Sequence, residues 1–163
     1  MKYRLATLFV VVALAAGTVA AQDAKSSSNI QRINPPTLNK PNGYTHVVIA
    51  KGSRMIFIAG QTSTDKDGNI VGKGDFRAQA TRVFENLKLA LATAGASFND
   101  VVKVGVYLRD MADREAINTV RRRYFGDARP ASTLVQVSAL AHPDALVEIE
   151  AIALLPRRNG DDA

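Results

Sequence analysis

Two hydrophobic periods run along this chain, and the change from one to the other marks its elements. Residues 46–50 and 55–59 are short β-rich runs joined by Lys51-Gly52-Ser53-Arg54, a connection that reads as a hairpin. Asp65-Lys66-Asp67-Gly68-Asn69 is a second turn. From Asp75 the period lengthens. Phe76, Ala80, Val83, Phe84, Leu87, Leu91 and Ala94 fall on one helical face, and Gly95 stands where it stops the helix. Val102, Val104, Val106 and Leu108 then alternate as a strand, and a second helix is expected over residues 112–125 with Ile117, Val120 and Tyr124 inward. Two further strands are expected over 131–139 and 146–155. The order ββαβαββ predicts an α+β domain, a mixed sheet with two helices covering one face.

The ends follow different rules. Lys2 and Arg4 precede an apolar run of residues 5–16, and Val19-Ala20-Ala21 supplies small residues before Gln22, so residues 1–21 are expected to be a secretory signal peptide. A transmembrane anchor needs about 20 apolar residues and a charged stop, which this run lacks. The expected location is periplasmic or secreted, with no membrane attachment after cleavage. Residues 22–43, with Lys25-Ser26-Ser27-Ser28-Asn29 and Asn34-Pro35-Pro36, read as a flexible leader. The folded domain is expected over 44–156, and residues 157–163 as a mobile tail without a hydrophobic anchor.

Composition narrows the chemistry. The 163 residues suit one domain, and 47% hydrophobic with 22% charged residues is an ordinary globular balance. Cysteine is absent, which removes disulfides, thiolate nucleophiles and thiolate metal sites together. His142 with Asp144 has no third ligand in sequence, so no metal site is expected. The net charge of +6 suggests nucleic acid only if the cations cluster with aromatics. Arg121-Arg122-Arg123 spans one helical turn, so its side chains should fan out over a solvated face, and no nucleic-acid partner is expected.

The last two strands carry the candidate chemistry. Over residues 146–155, Val147, Ile149, Ala151, Ala153 and Leu155 share one face, while Glu148 and Glu150 project from the other. The two carboxylates lie roughly 7 Å apart by strand rise, close enough to raise a pKa where water is partly excluded and to make a proton shuttle. A solvated sheet face explains the same spacing, and spacing alone favours it. In the preceding strand Thr133, Val135 and Val137 face one way and Ser132, Leu134, Gln136 and Ser138 the other. A half-polar face without a third layer calls for another subunit or a ligand cavity to cover it.

The run Arg129-Pro130-Ala131-Ser132-Thr133-Leu134-Val135-Gln136-Val137-Ser138-Ala139-Leu140, followed by Val147-Glu148-Ile149-Glu150-Ala151-Ile152-Ala153, resembles the C-terminal motif of the RidA (YjgF) family. Gly43-Tyr44, Ile58-Ala59-Gly60-Gln61 and the stretch from Val104 to Asp110 before Ile117-Asn118 support it, and the resemblance spans about residues 32–156. It implies a chorismate-mutase-like fold, a homotrimer built around a central barrel, and a small-molecule ligand in clefts between subunits. Deaminating members hydrolyse imines and enamines to a 2-oxo acid and ammonia without metal or cofactor.

Carried over by position, the resemblance makes Glu148 the catalytic residue that handles water and proton. Tyr44, Gly60, Asn118, Ser132 and Leu134 become substrate-binding residues. Ala59 departs from the family's usual serine. The largest departure is Ser132, where deaminating members carry the arginine that grips the substrate carboxylate. A neutral hydroxyl in place of a charged fork implies weak or altered activity. Arg129 sits three residues earlier, ahead of a proline, and is not expected to take over that role. Two function classes therefore stand: an exported imine or enamine deaminase, or a non-catalytic trimer that binds a small molecule or hydrophobic segments in the same clefts, with chaperone-like use.

Overall fold

A computed structural model describes residues 29–156 apart from 39, 42, 43 and 53. The expected signal peptide and tail lie outside the described residues. Among the described residues, six strands and two α-helices follow in the order β1 (Ile30–Ile33), β2 (Val47–Ala50), β3 (Arg54–Gln61), α1 (Phe76–Thr93), β4 (Val101–Leu108), α2 (Arg114–Phe125), β5 (Ala131–Gln136) and β6 (Val147–Leu155). The fold is α+β, a mixed four-stranded sheet in the order β3-β6-β4-β5 with both helices packed on it. Only β4 and β5 run parallel.

Local chemistry explains the helices. Asp75 caps α1 by accepting a hydrogen bond from the Ala78 backbone N–H at 3.1 Å. At the other end Gly95 adopts a positive φ of 72°, and the Ala96 N–H returns to the Leu91 carbonyl, closing the last turn. The buried stripe of α1 contains the predicted apolar residues from Phe76 to Leu91, of which Val83, Phe84 and Leu87 lie within 1% of full burial, whereas Ala94 is the half-buried C-cap beyond the helix. It packs on Val104, Val106, Ile149, Ala151 and Ala153 of the sheet. Tyr124 of α2 is half-buried and stacks on Phe84, with centroids 4.8 Å apart.

Three expectations change. The connection through residues 51–54 is not a hairpin: β2 pairs antiparallel with β1, Ile30 opposite Ala50, while β3 pairs with β6. The turn-like glycine serves a close approach instead, since a Cβ on Gly52 would fall 2.7 Å from the Leu155 carbonyl oxygen. Second, the expected leader holds a strand, β1, because Ile30 finds a partner 20 residues downstream and is 7% exposed. The element order thus gains one strand ahead of the predicted series. Third, alternation along β6 breaks at its end: Leu154 is 7% exposed and Leu155 only half-buried. The pairing of β6 with β4 shifts just before this end, where Ala153 stands opposite Val101 and Ile152 opposite Lys103, leaving Val102 as the extra residue.

Candidate functional site

β5 is an edge strand, and its helix-facing side is open beyond Val104 and Val106, which stand beside Ser132 and Leu134 in the parallel register. α2 crosses this flank and presents Arg114, Asn118 and Arg121 at spacings of four and three, one stripe of the helix. Tyr44 is brought to the same place because Thr45, nearly fully buried, bonds the Pro130 carbonyl through its N–H at 3.0 Å and the Arg129 carbonyl through its hydroxyl. Together with Met111 these residues line a cavity of about 420 Å³. Among the described residues its lining includes two guanidiniums, those of Arg114 and Arg121, and no acidic side chain.

The polar groups inside are tightly held. Arg121 is 5% exposed and its Nη1 donates to Ser132 Oγ at 3.4 Å. Burial lowers the Arg121 pKa from its ordinary value, and the nearby cations Arg122 and Arg114 lower it further. Asn118 is 3% exposed, and its Oδ1 has no hydrogen-bond donor among the described residues. An acceptor in that state is costly until a donor arrives.

Glu148 lies elsewhere. It stands opposite Tyr107 on the sheet face turned away from the helices, and Glu150 stands opposite Gly105 on the same face. Gly60 belongs with Glu148: a Cβ at Gly60 would overlap the Glu148 carboxylate, so the side chain lies across bare backbone. At Gly105 a Cβ would fall 2.6 Å from Glu150 Oε1. Tyr107 donates its hydroxyl to Glu150 Oε1 at 2.8 Å, and this bond to a carboxylate raises the phenol pKa. Phe57 and Met55 on β3, 71% and 59% exposed, leave the same molecule with unburied large apolar side chains.

The sequence-predicted site residues therefore form two groups. Tyr44, Asn118, Ser132 and Leu134 meet in the cavity; Gly60 and Glu148 meet on the opposite face of the sheet. Arg121 corrects the expectation of a solvated arginine triplet, for only Arg122 and Arg123 are exposed. Its stem runs along the packed side of α2, one turn beyond Asn118 and Ile117. Arg129 lines a separate groove with Asn34 and Pro35, as its place before Pro130 suggested. Sequence reasoning missed Arg114 and Arg121, although their spacing about Asn118 marked one helical face. It also missed Gln79, fully buried in the apolar stripe of α1. Its amide donates to the Asp144 carbonyl at 2.9 Å and accepts from the Leu146 N–H at 2.9 Å, holding the loop that leads into β6.

Residues 37–155 match the family model described as Endoribonuclease L-PSP. A RutC family protein of Pyrococcus abyssi is 47% identical over 114 residues, 70% of this chain and 88% of that protein. The 3-aminoacrylate deaminase RutC of Acinetobacter baylyi is 40% identical over 108 residues, 66% of this chain and 85% of that protein. Among solved structures, the conserved Rid family protein YyfB of Yersinia pestis matches with a TM-score of 0.74 at 38% identity, covering 78% of this chain and 99% of that one. With the motif strands, the helix pair and the matched span in agreement, the chain belongs to the RidA/YjgF/RutC family, whose model bears the Endoribonuclease L-PSP description.

Proposed function

We propose that this protein is an exported deaminase-type hydrolase of small imino or enamino acids, working as a homotrimer in which the cavity of one subunit meets the Glu148 face of the next. The observation that carries the reading is the gathering of Tyr44, Asn118, Ser132 and Leu134 around one cavity, in a chain 40% identical to a protein named 3-aminoacrylate deaminase. Within one chain Glu148 cannot serve that cavity, because the sheet separates them. The exposed Phe57 and Met55 supply apolar area for a neighbouring copy. A volume of about 420 Å³ suits a small molecule rather than an RNA strand.

The chemistry balances with water alone. Glu148 takes a proton from water as the water oxygen bonds to the imine carbon, and it passes that proton to the nitrogen, giving a carbinolamine. The carbinolamine hydroxyl then gives its proton, relayed by Glu148, to the nitrogen as the C–N bond breaks, so that ammonia leaves and a 2-oxo acid remains. The strand residue Ser132 offers only a hydroxyl, so activity on 2-iminopropanoate and 2-iminobutanoate is altered relative to members with arginine at that position. The test is the rate of 2-oxo acid formation by the chain lacking residues 1–21. Formation lost on Glu148→Ala supports the hydrolase. Ligand binding without 2-oxo acid formation supports instead the non-catalytic binding protein. Light scattering should give about three times the monomer mass, and a stable monomer at micromolar concentration would refute the shared cleft.

A further inference from the structure

A second cavity lies at the C-terminal end of α2 and shares no lining residue with the first. It measures about 480 Å³, room for a small molecule, and its lining carries charges of both signs. From β1, Arg32 reaches the start of β4, where its Nη2 donates to the Asn99 carbonyl at 3.1 Å and to the Val101 carbonyl at 3.5 Å. Two carbonyls thus fix the guanidinium plane. Its Nε and Nη1 have no acceptor among the described residues, and Nε is shut off from solvent. Burial lowers the Arg32 pKa from its ordinary value, and Asp100 opposes that shift with a carboxylate already accepting the Ser97 N–H and hydroxyl at 2.8 and 2.9 Å. Arg123 adds a second guanidinium to the lining.

Negative charge enters from the end of the helix. Gly126 turns the chain there at a φ of 50°, Asp127 joins the lining, and the last carbonyls of α2 add partial negative charge. Among the described residues, neither Arg32 nor Arg123 is in an ion pair with Asp127 or with any other acid. A simple anion in this cavity meets Asp127, and a simple cation meets two guanidiniums. A molecule that carries both charges satisfies both.

We propose that this cavity is a second ligand site, for a free α-amino acid with an apolar side chain: its carboxylate on Arg32 and Arg123, its ammonium on Asp127, and its side chain against the rings of Tyr124 and Phe125. The site uses no residue of the imine chemistry, so it stands or falls independently of the hydrolase reading.

Leucine is the probe, beside 4-methylpentanoate and 3-methylbutylamine, which are leucine without its amino group and leucine without its carboxylate. Ligand-observed NMR titration of the full mature assembly should show leucine binding at millimolar concentration and each analogue weaker by about tenfold or more. Asp127→Asn should weaken leucine by about tenfold and leave 4-methylpentanoate no weaker. Arg32→Met, which keeps the stem and removes the charge, should weaken leucine by about tenfold to 10²-fold and leave 3-methylbutylamine no weaker. If Arg32→Met fails to fold, Arg123→Gln and Asp127→Asn, both at exposed positions, decide, with Arg123→Gln expected to weaken leucine and spare the amine. Absence of leucine binding would overturn the proposal. So would leucine affinity indifferent to these charges, which places the ligand elsewhere, or an equal loss of all three probes, which marks a structural role.

Discussion

Gln79 is a polar residue where the helical period demands an apolar one, and replacing it tests whether the fold places Glu148 through a hydrogen-bonded loop. Its side chain is 0% exposed and makes two bonds of 2.9 Å across 65 and 67 residues, to the Asp144 carbonyl and the Leu146 N–H. Gln79→Leu conserves most of the volume but deletes both bonds, leaving two partly buried backbone groups to find water. At about 1–1.5 kcal/mol for each lost bond the cost is about 2–3 kcal/mol. Gln79→Ala adds a cavity and should cost about 1–2 kcal/mol more. Against a total stability of about 5–15 kcal/mol these are large fractions. Urea unfolding of the wild type and both variants, compared at one protein concentration because assembly contributes to stability, should show unchanged slopes and lowered midpoints. Hydrogen exchange adds a local readout: the Leu146 amide should be protected in the wild type and released in both variants. Leu146 stands two residues before Glu148, so released protection also means a looser carboxylate. A Gln79→Leu variant within about 0.5 kcal/mol of wild type, with Leu146 still protected, would refute the reasoning.

Three further outcomes are expected. Burial and the hydrogen bond to Glu85 push the Tyr124 phenol up to about 12, so its neutral form is favoured in the folded state; this contribution is intact below about pH 10 and fades between there and pH 12, and Tyr124→Phe should flatten that part of a stability–pH profile. Gly60→Ala should displace the Glu148 carboxylate, the flexible end of a side chain, lowering kcat with little change in KM or in the unfolding midpoint; equal turnover by the variant would show that Glu148 needs no bare backbone beneath it. N-terminal sequencing of protein from the periplasmic fraction should begin near Gln22, and an intact Met1 in the cytoplasm would contradict export.

Much of the architecture was legible because it depends on period. The stripe from Phe76 to Leu91 and the alternation of Val147, Ile149, Ala151 and Ala153 require only that each element bury one face, and both are buried as read. Glycine had to be read with more care. Gly95 ends a helix through its own φ, a local property, but Gly52 lies against β6 and Gly60 against Glu148, partners about 100 and 88 positions away in sequence. The hairpin expectation failed for the same reason: a turn-like tetrapeptide permits a reversal, but which strand pairs with which is settled by the sheet that the helices must cover.

The site divides along the same line. Sequence by itself determined which residue types stand in the motif, that Glu148 and Glu150 share a face opposite the core residues of their strand, and that the motif strand carries a serine hydroxyl at Ser132. Only the tertiary structure decided that Ser132 faces the helices, on the side of the sheet opposite Glu148, since that depends on the register of three strands. The fate of Arg121 was also decided there. Its neighbours in sequence are two exposed arginines, and its burial beside Ser132 follows from how α2 crosses the open edge of β5, a packing relation that no local pattern of charge encodes.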